Sequence, residues 1–182
     1  MVYVLLANGF EEIEALTPVD MLRRAGSAVK TVSLAEGLAV HGAHGIDVLA
    51  DLMPADADEK IELLLLPGGM PGTLNLDASA VTDAMLRRTV ADGGRIAAIC
   101  AAPLVLGRRG LLEGKRAVCY PGFEKELSGA IVADAPFVTD GKITTAKGMG
   151  AAVLFAAELV RLLHGEDMAS TMLRGICSSE KL

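Results

Sequence analysis

The chain has 182 residues, 52% of them apolar and 22% charged, with 17 Lys and Arg against 23 Asp and Glu and a formal charge of −6. The length predicts one domain over residues 1–182, and the apolar fraction excludes a disordered chain. With 3% aromatics and no tryptophan, it lacks both the stacking platform of a single-strand binder and the positive charge that a phosphate backbone selects, so no nucleic-acid partner is expected.

Val2–Ala7 is a continuous apolar run closing on Asn8-Gly9, the mark of a strand buried on both faces. Helical spacing follows over Glu11–Ala25, with Ile13, Leu16, Val19 and Leu22 inward; Pro18 predicts a kink or restart, and Gly26 a stop. Ala28–Leu34 reads as a second strand, and Leu38–Val40 with Ile46–Ala50 as a small hairpin around His41 and His44. Leu63–Leu66 runs as a third buried strand into Pro67-Gly68-Gly69. Ala78–Val90 reads as a helix, Arg95–Ile99 as a strand entering Cys100-Ala101-Ala102-Pro103, and Ala101–Gly107 as a short helix. Short strands follow at Lys115–Cys119, Ile131–Ala133, Phe137–Thr139 and Lys142–Thr145, then helices at Gly148–Leu163 and Glu166–Arg174. Non-alternating apolar strands between helices predict an α/β fold with a parallel sheet covered on both sides. No apolar run reaches the roughly 18 residues of a membrane span, and the N-terminus has no basic region of a signal peptide. A cytoplasmic protein with no membrane partner is expected.

Ligands of such folds bind beyond the carboxyl ends of the strands. Three turns fall there: Asn8–Glu14, Pro67–Gly72 and Ala98–Pro103. Cys100 sits at a strand-to-helix turn among small residues, the layout of a nucleophile elbow. A helix N-terminus there would lower the thiol pKa. A buried structural cysteine is the competing reading, and position alone leaves both standing. Gly68 and Gly69 offer backbone N–H groups for an oxyanion, or are an ordinary tight turn. Glu11 and Glu12 read as a solvated first helical turn. Glu14, four residues after Phe10 in an inward stripe, is expected to face the sheet end with a raised pKa, protonated beside the thiol. His41 and His44 read as exposed loop residues, and His164 as a partner of its helix's C-terminal dipole. Three cysteines without C-x-x-C spacing, and three histidines without zinc spacing, give neither a disulfide framework nor a metal site.

Asn8–Glu14, Pro18–Gly26, Leu66–Gly69, Ala98–Pro103 and Thr145–Gly148 together resemble the ThiJ/PfpI superfamily, and within it the parkinsonism-associated deglycase (DJ-1) branch. The resemblance implies a flavodoxin-like three-layer α/β/α sandwich, class I glutamine amidotransferase-like, and a homodimer without cofactor. It implies that Cys100 is the reactive, easily oxidised cysteine. Glu14 would hydrogen-bond its sulfur, and Gly69 and the Ala101 backbone would line the oxyanion pocket. It also implies glutathione-independent glyoxalase and deglycase activity on a small carbonyl substrate, with protection against oxidative stress. The chain departs from the pattern in carrying Tyr120 where many relatives have a histidine near the nucleophile. His44 and Lys147 stand in place of arginines. Ala101 stands where the peptidase-like branch has the histidine that a Cys-His pair needs. Cys119, beside Tyr120, reads as a resolving thiol or as a buried strand cysteine, and Cys177 as a bystander. Three readings follow: a glyoxalase or deglycase, a redox-sensing chaperone acting through Cys100, and a peptidase or amidase.

Overall fold

Residues 1–179 are described by a computed structural model; the last three residues of the expected domain lie outside the described range. In chain order the elements are β1 (Val2–Leu6), α1 (Glu12–Arg24), β2 (Val29–Ser33), β3 (Ala39–His41), β4 (Asp47–Leu49), β5 (Leu63–Leu66), α2 (Gly72–Ala78), α3 (Ala80–Ala91), β6 (Arg95–Ile99), α4 (Pro103–Gly107), β7 (Arg116–Ala117), β8 (Ile131–Val132), β9 (Phe137–Asp140), β10 (Ile143–Ala146), α5 (Ala152–His164) and α6 (Glu166–Gly175).

The main sheet has the order β2-β1-β5-β6-β10-β9. All its pairs are parallel except β10–β9, which is antiparallel. Successive side chains of one strand serve opposite cores. Val2, Val4 and Leu6 pack with Leu63, Leu65, Ala97 and Ile99 beneath α1, α5 and α6. Tyr3, Leu5 and Ala7 pack with Leu64, Leu66, Ile96 and Ala98 beneath α3 and α4. That two-sided burial is why the strands read as unbroken apolar runs. Setting aside the β3–β4 hairpin, the order is the flavodoxin-like doubly wound one, and the switch point lies between β1 and β5.

The turns leaving those two strands interlock. The Glu11 N–H donates to the Gly68 carbonyl (2.9 Å), and the Gly72 N–H to the Gly9 carbonyl (3.0 Å). A side chain at Gly9 would strike Pro71 and Gly72, and Gly9 also sits at φ +85°. The Asn8-Gly9 turn is therefore a requirement of close approach.

Several expectations are corrected. α1 runs unbroken through Pro18, which is buried against the first core. Packing of α1 on α5 and the sheet outweighs the lost N–H bond. Ile13, expected inward, is half exposed; the buried face is carried by Ala15, Pro18, Val19 and Leu22 together with Glu12 and Glu14. The helix expected at Ala78–Val90 is two helices that part at Ser79, whose hydroxyl accepts from the Val81 N–H and caps α3. α5 starts only at Ala152, after a 3-10 turn over Met149–Ala151. The strand expected over Lys115–Cys119 shrinks to Arg116–Ala117 and leaves Cys119 outside it.

Candidate active site

β6 delivers Cys100 to the carboxyl edge of the sheet, next to the switch point. Its backbone sits at φ +67°, a left-handed conformation uncommon for a residue with a side chain. Two hydrogen bonds hold it there. Its N–H donates to the Ala146 carbonyl (2.9 Å), and its carbonyl accepts from the Tyr120 N–H (2.7 Å). The small, buried Ala101 and Ala102 let α4 begin immediately after the turn. This is the elbow geometry that lifts a nucleophile clear of its own strand.

Glu14 reaches the same point from α1. It is 1% exposed, and its carboxyl hydrogen-bonds the Cys100 sulfur and the Met149 backbone. The Gly68 N–H donates to its Oε2 (3.1 Å). Only glycine fits at 68, because a Cβ would lie 2.5 Å from Glu14 Oε2 and 2.6 Å from the Cys100 Cβ. The N–H groups of Ala101 and Gly69 both point at the sulfur. Gly69 holds φ +90°, where a side chain would collide with the Glu11 and Gly9 backbone. Cys100, Glu14, Gly68, Gly69 and Ala101 are thus brought into one cluster. Sequence reasoning missed the Met149 backbone, which holds Glu14 from the far side; the Thr145–Gly148 segment was the signal leading to it.

Burial, then the neighbouring Glu14 charge, pushes the Cys100 thiol up to about 12. Burial likewise pushes Glu14 up to about 7, with the Glu11 charge adding to the rise. The expectation of a thiol lowered by a helix dipole is therefore corrected. α4 has five residues and starts three positions beyond the sulfur, so its dipole is outweighed by desolvation and a buried carboxylate. The raised Glu14 agrees in direction with the expectation from its inward position.

The acidic first turn is also corrected: Glu11 and Glu12 are buried rather than solvated. Glu11 caps α1, its Oε2 accepting from the Glu14 N–H (2.6 Å). Glu12 is covered by the β3–β4 hairpin. Its Oε1 accepts from the His44 N–H (2.7 Å), and its Oε2 lies 2.8 Å from His44 Nδ1. That pairing lowers the Glu12 pKa and raises that of His44. Glu11, Glu12 and His44 are the one set among the described residues whose ligand atoms would suit a metal, all lying within 4.8 Å of one another. The close oxygen and nitrogen pair is already engaged in the Glu12–His44 ion pair.

Tyr120 is half exposed. A Cβ placed on Gly148 would lie 3.3 Å from its ring and 3.8 Å from Glu14 Oε1, so ring and carboxyl flank the same glycine. Cys119 packs into the second core, whereas Cys100 lies against the first. The Cys119 thiol takes the Phe123 N–H, and burial pushes it up to about 11. His41 pairs with Asp47 and His164 with Ser27. Among the described residues no imidazole hydrogen-bonds Cys100, so the Cys-His pair of a peptidase is not assembled. No described helix is long and apolar enough to cross a membrane.

The profile of the DJ-1/PfpI family matches residues 1–162. The chain belongs to the DJ-1/PfpI family. "Protein DJ-1 homolog B" of Arabidopsis thaliana is 39% identical over 171 residues, 92% of this chain. The chain spans only 39% and 44% of the length of the two Arabidopsis proteins it matches. A Pyrococcus abyssi protein named a deglycase is 32% identical over 166 residues, covering 89% of this chain and 98% of that protein. Among solved structures, oxidized DJ-1 of Toxoplasma gondii superposes with a TM-score of 0.94 at 35% identity, over 98% of each chain. These likenesses agree with the α/β sandwich and its mostly parallel sheet.

Proposed function

We propose that this DJ-1/PfpI protein is a cysteine-dependent glyoxalase or deglycase, acting on small 2-oxoaldehydes such as methylglyoxal or on their adducts. The observation that carries the reading is the buried Cys100–Glu14 pair inside a cradle of backbone N–H groups. Above about pH 7, where Glu14 is ionised, the pair holds one proton, on sulfur. As Cys100 adds to the aldehyde carbon, Glu14 takes the thiol proton. A carbon–sulfur bond forms, the carbonyl π bond breaks, and the new oxyanion settles on the N–H groups that held the sulfur. Protonated, it is a hemithioacetal. Glu14 then moves a proton from the former aldehyde carbon to its neighbour, and the hydroxyl proton passes from the first oxygen to the second through an enediol, turning the hemithioacetal into a thioester of a 2-hydroxy acid. Water releases the acid and restores the thiol. Overall, methylglyoxal and one water become one lactic acid, with no external oxidant.

The test is methylglyoxal consumption by wild type, Cys100→Ala and Glu14→Gln. Both variants should lose turnover by at least about 100-fold, as removal of an acid–base group typically does. Turnover retained by Cys100→Ala overturns the reading.

The same donors favour a second reading. Oxygens added to the Cys100 sulfur would meet the Gly69 and Ala101 N–H groups and a protonated Glu14, which suits a stable sulfinate and a redox-sensing role. Mild peroxide followed by intact mass should add two oxygens to wild type and none to Cys100→Ala. The homodimer belongs to the proposal as well. Light scattering checks it.

A further inference from the structure

A groove of about 580 Å³ opens beside the Cys100–Glu14 pair. Its inner wall is the Gly148–Met149 backbone that Glu14 hydrogen-bonds, and its sides are Tyr120, Pro121 and Pro136. The segment from Ala146 to Met149 joins the two sites, since the Ala146 carbonyl also accepts the Cys100 N–H. Tyr120 and Met149 are two of the chain's exposed large apolar side chains. The groove is therefore a largely apolar slot that shares its Gly148 wall with the reacting centre, a Cβ on Gly148 lying 3.8 Å from Glu14 Oε1. Its volume lies in the range that holds a drug-sized ligand, far beyond the needs of a three-carbon aldehyde.

Its polar equipment is uneven. Lys147 and Asp134 form an ion pair of 2.7 Å at the rim, with the Asp134 side chain 95% exposed and that of Lys147 43% exposed. A pair so exposed contributes little to stability, so an incoming anion displaces Asp134 at small cost. The Lys147 backbone is fixed, its N–H donating to the Pro136 carbonyl (2.9 Å). α5 opens on the groove with no side-chain cap and no acidic residue in its first turn, which adds the positive end of a 13-residue helix to the Lys147 charge. Glu14, which takes the Met149 N–H, is the carboxylate facing it from inside.

We propose that this groove is a subsite for the distal part of the substrate, and that Lys147 receives a carboxylate there. The favoured substrates are then 2-oxoaldehydes or carbonyl adducts that carry an apolar body ending in a carboxylate. This rests on the glyoxalase or deglycase reading and names its substrate class.

The test uses a matched pair, phenylglyoxal and 4-carboxyphenylglyoxal, in steady-state kinetics. Wild type should prefer the carboxylated compound in kcat/KM by about tenfold, the scale of one charge-assisted hydrogen bond. The preference should lie in KM and shrink as salt is raised. Lys147→Met should abolish it, and Asp134→Asn should raise it. An equal preference in wild type and Lys147→Met overturns the proposal. Should no glyoxal be turned over, the glyoxalase reading fails alone. Binding of the unreactive ketone 4-acetylbenzoate, against acetophenone, then decides the subsite. Tighter 4-acetylbenzoate binding that weakens in Lys147→Met upholds it, and equal binding of the two ketones overturns it.

Discussion

Glu12 and Glu14 sit two residues apart on α1, both almost fully buried, and their surroundings drive them in opposite directions. Glu12 meets an imidazole and a backbone N–H from the β3–β4 hairpin, so its charge is answered and its pKa falls. Glu14 meets a thiol, with backbone N–H groups offsetting only part of its desolvation, and rises to about 7. Burial is common to both, so the partner decides the sign. One carboxylate becomes a fixed structural charge and the other a group that can take and return a proton.

The largest effect expected from disturbing this contrast is at Gly68. Gly68→Ala drives a methyl into the Glu14 carboxylate and the Cys100 Cβ, and should cost at least about 100-fold in turnover, as loss of the acid–base group does. Near-wild-type kinetics would show that the pair needs no such close packing. Next in size is Glu14→Gln, in which thiol reactivity and turnover should part ways. Removing the carboxylate charge that raises the Cys100 thiol should speed alkylation by iodoacetamide near pH 9, while methylglyoxal turnover is lost. In wild type, kcat/KM should climb as pH rises through about 7, where Glu14 ionises.

A smaller effect is on stability. Raised from 4.5 to about 7, Glu14 favours the folded chain below pH 4.5, and that contribution is lost as pH rises through about 7. Glu14→Gln should therefore gain on wild type in denaturant midpoint between those values. The gain should amount to a few kcal/mol at most, one pKa unit being about 1.4 kcal/mol. The smallest effect is expected for His44→Ala. His44, raised above 6.5, stabilises the fold below that value; Glu12, lowered from 4.5, stabilises it above that value. The cost of breaking the pair should be greatest between pH 4.5 and 6.5 and fade above, which thermal melts across pH would show. A pH-independent cost would place the effect in hairpin packing instead.

Much of the site was legible because its signals are local. Leu63–Leu66 and Arg95–Ile99 coincide with observed strands, since four or five apolar residues before a turn admit few other readings. Cys100 announced itself by the small residues of its elbow, and Glu14 by its spacing from Phe10. Glu12 was misread because what buries it arrives thirty residues later: a side chain at Gly42 would strike the Glu12 carboxylate, and no local pattern encodes that approach. The direction of the Cys100 pKa was missed for the same reason. The local cue, a helix start, favours thiolate, while the dominant influence is burial by the packed fold, followed by a carboxylate from α1. Pro18 shows tertiary packing overriding a local breaker.

The hydrogen bond from the Cys100 N–H to the Ala146 carbonyl, and that from the Met149 N–H to the Glu14 carboxylate, have a consequence for the chain as it is made. β6 and its cysteine are complete 46 residues before Ala146 emerges, and Glu14 has by then waited longer still. The reactive pair is a product of long-range pairing, which is slow relative to local structure. A nascent or truncated chain ending before β10 carries every residue of the elbow but lacks the Ala146 and Met149 bonds that complete its constraint. Its thiol should alkylate at a rate closer to that of a free cysteine. The chemistry of Cys100 thus reports that the last strand of the sheet has been seated.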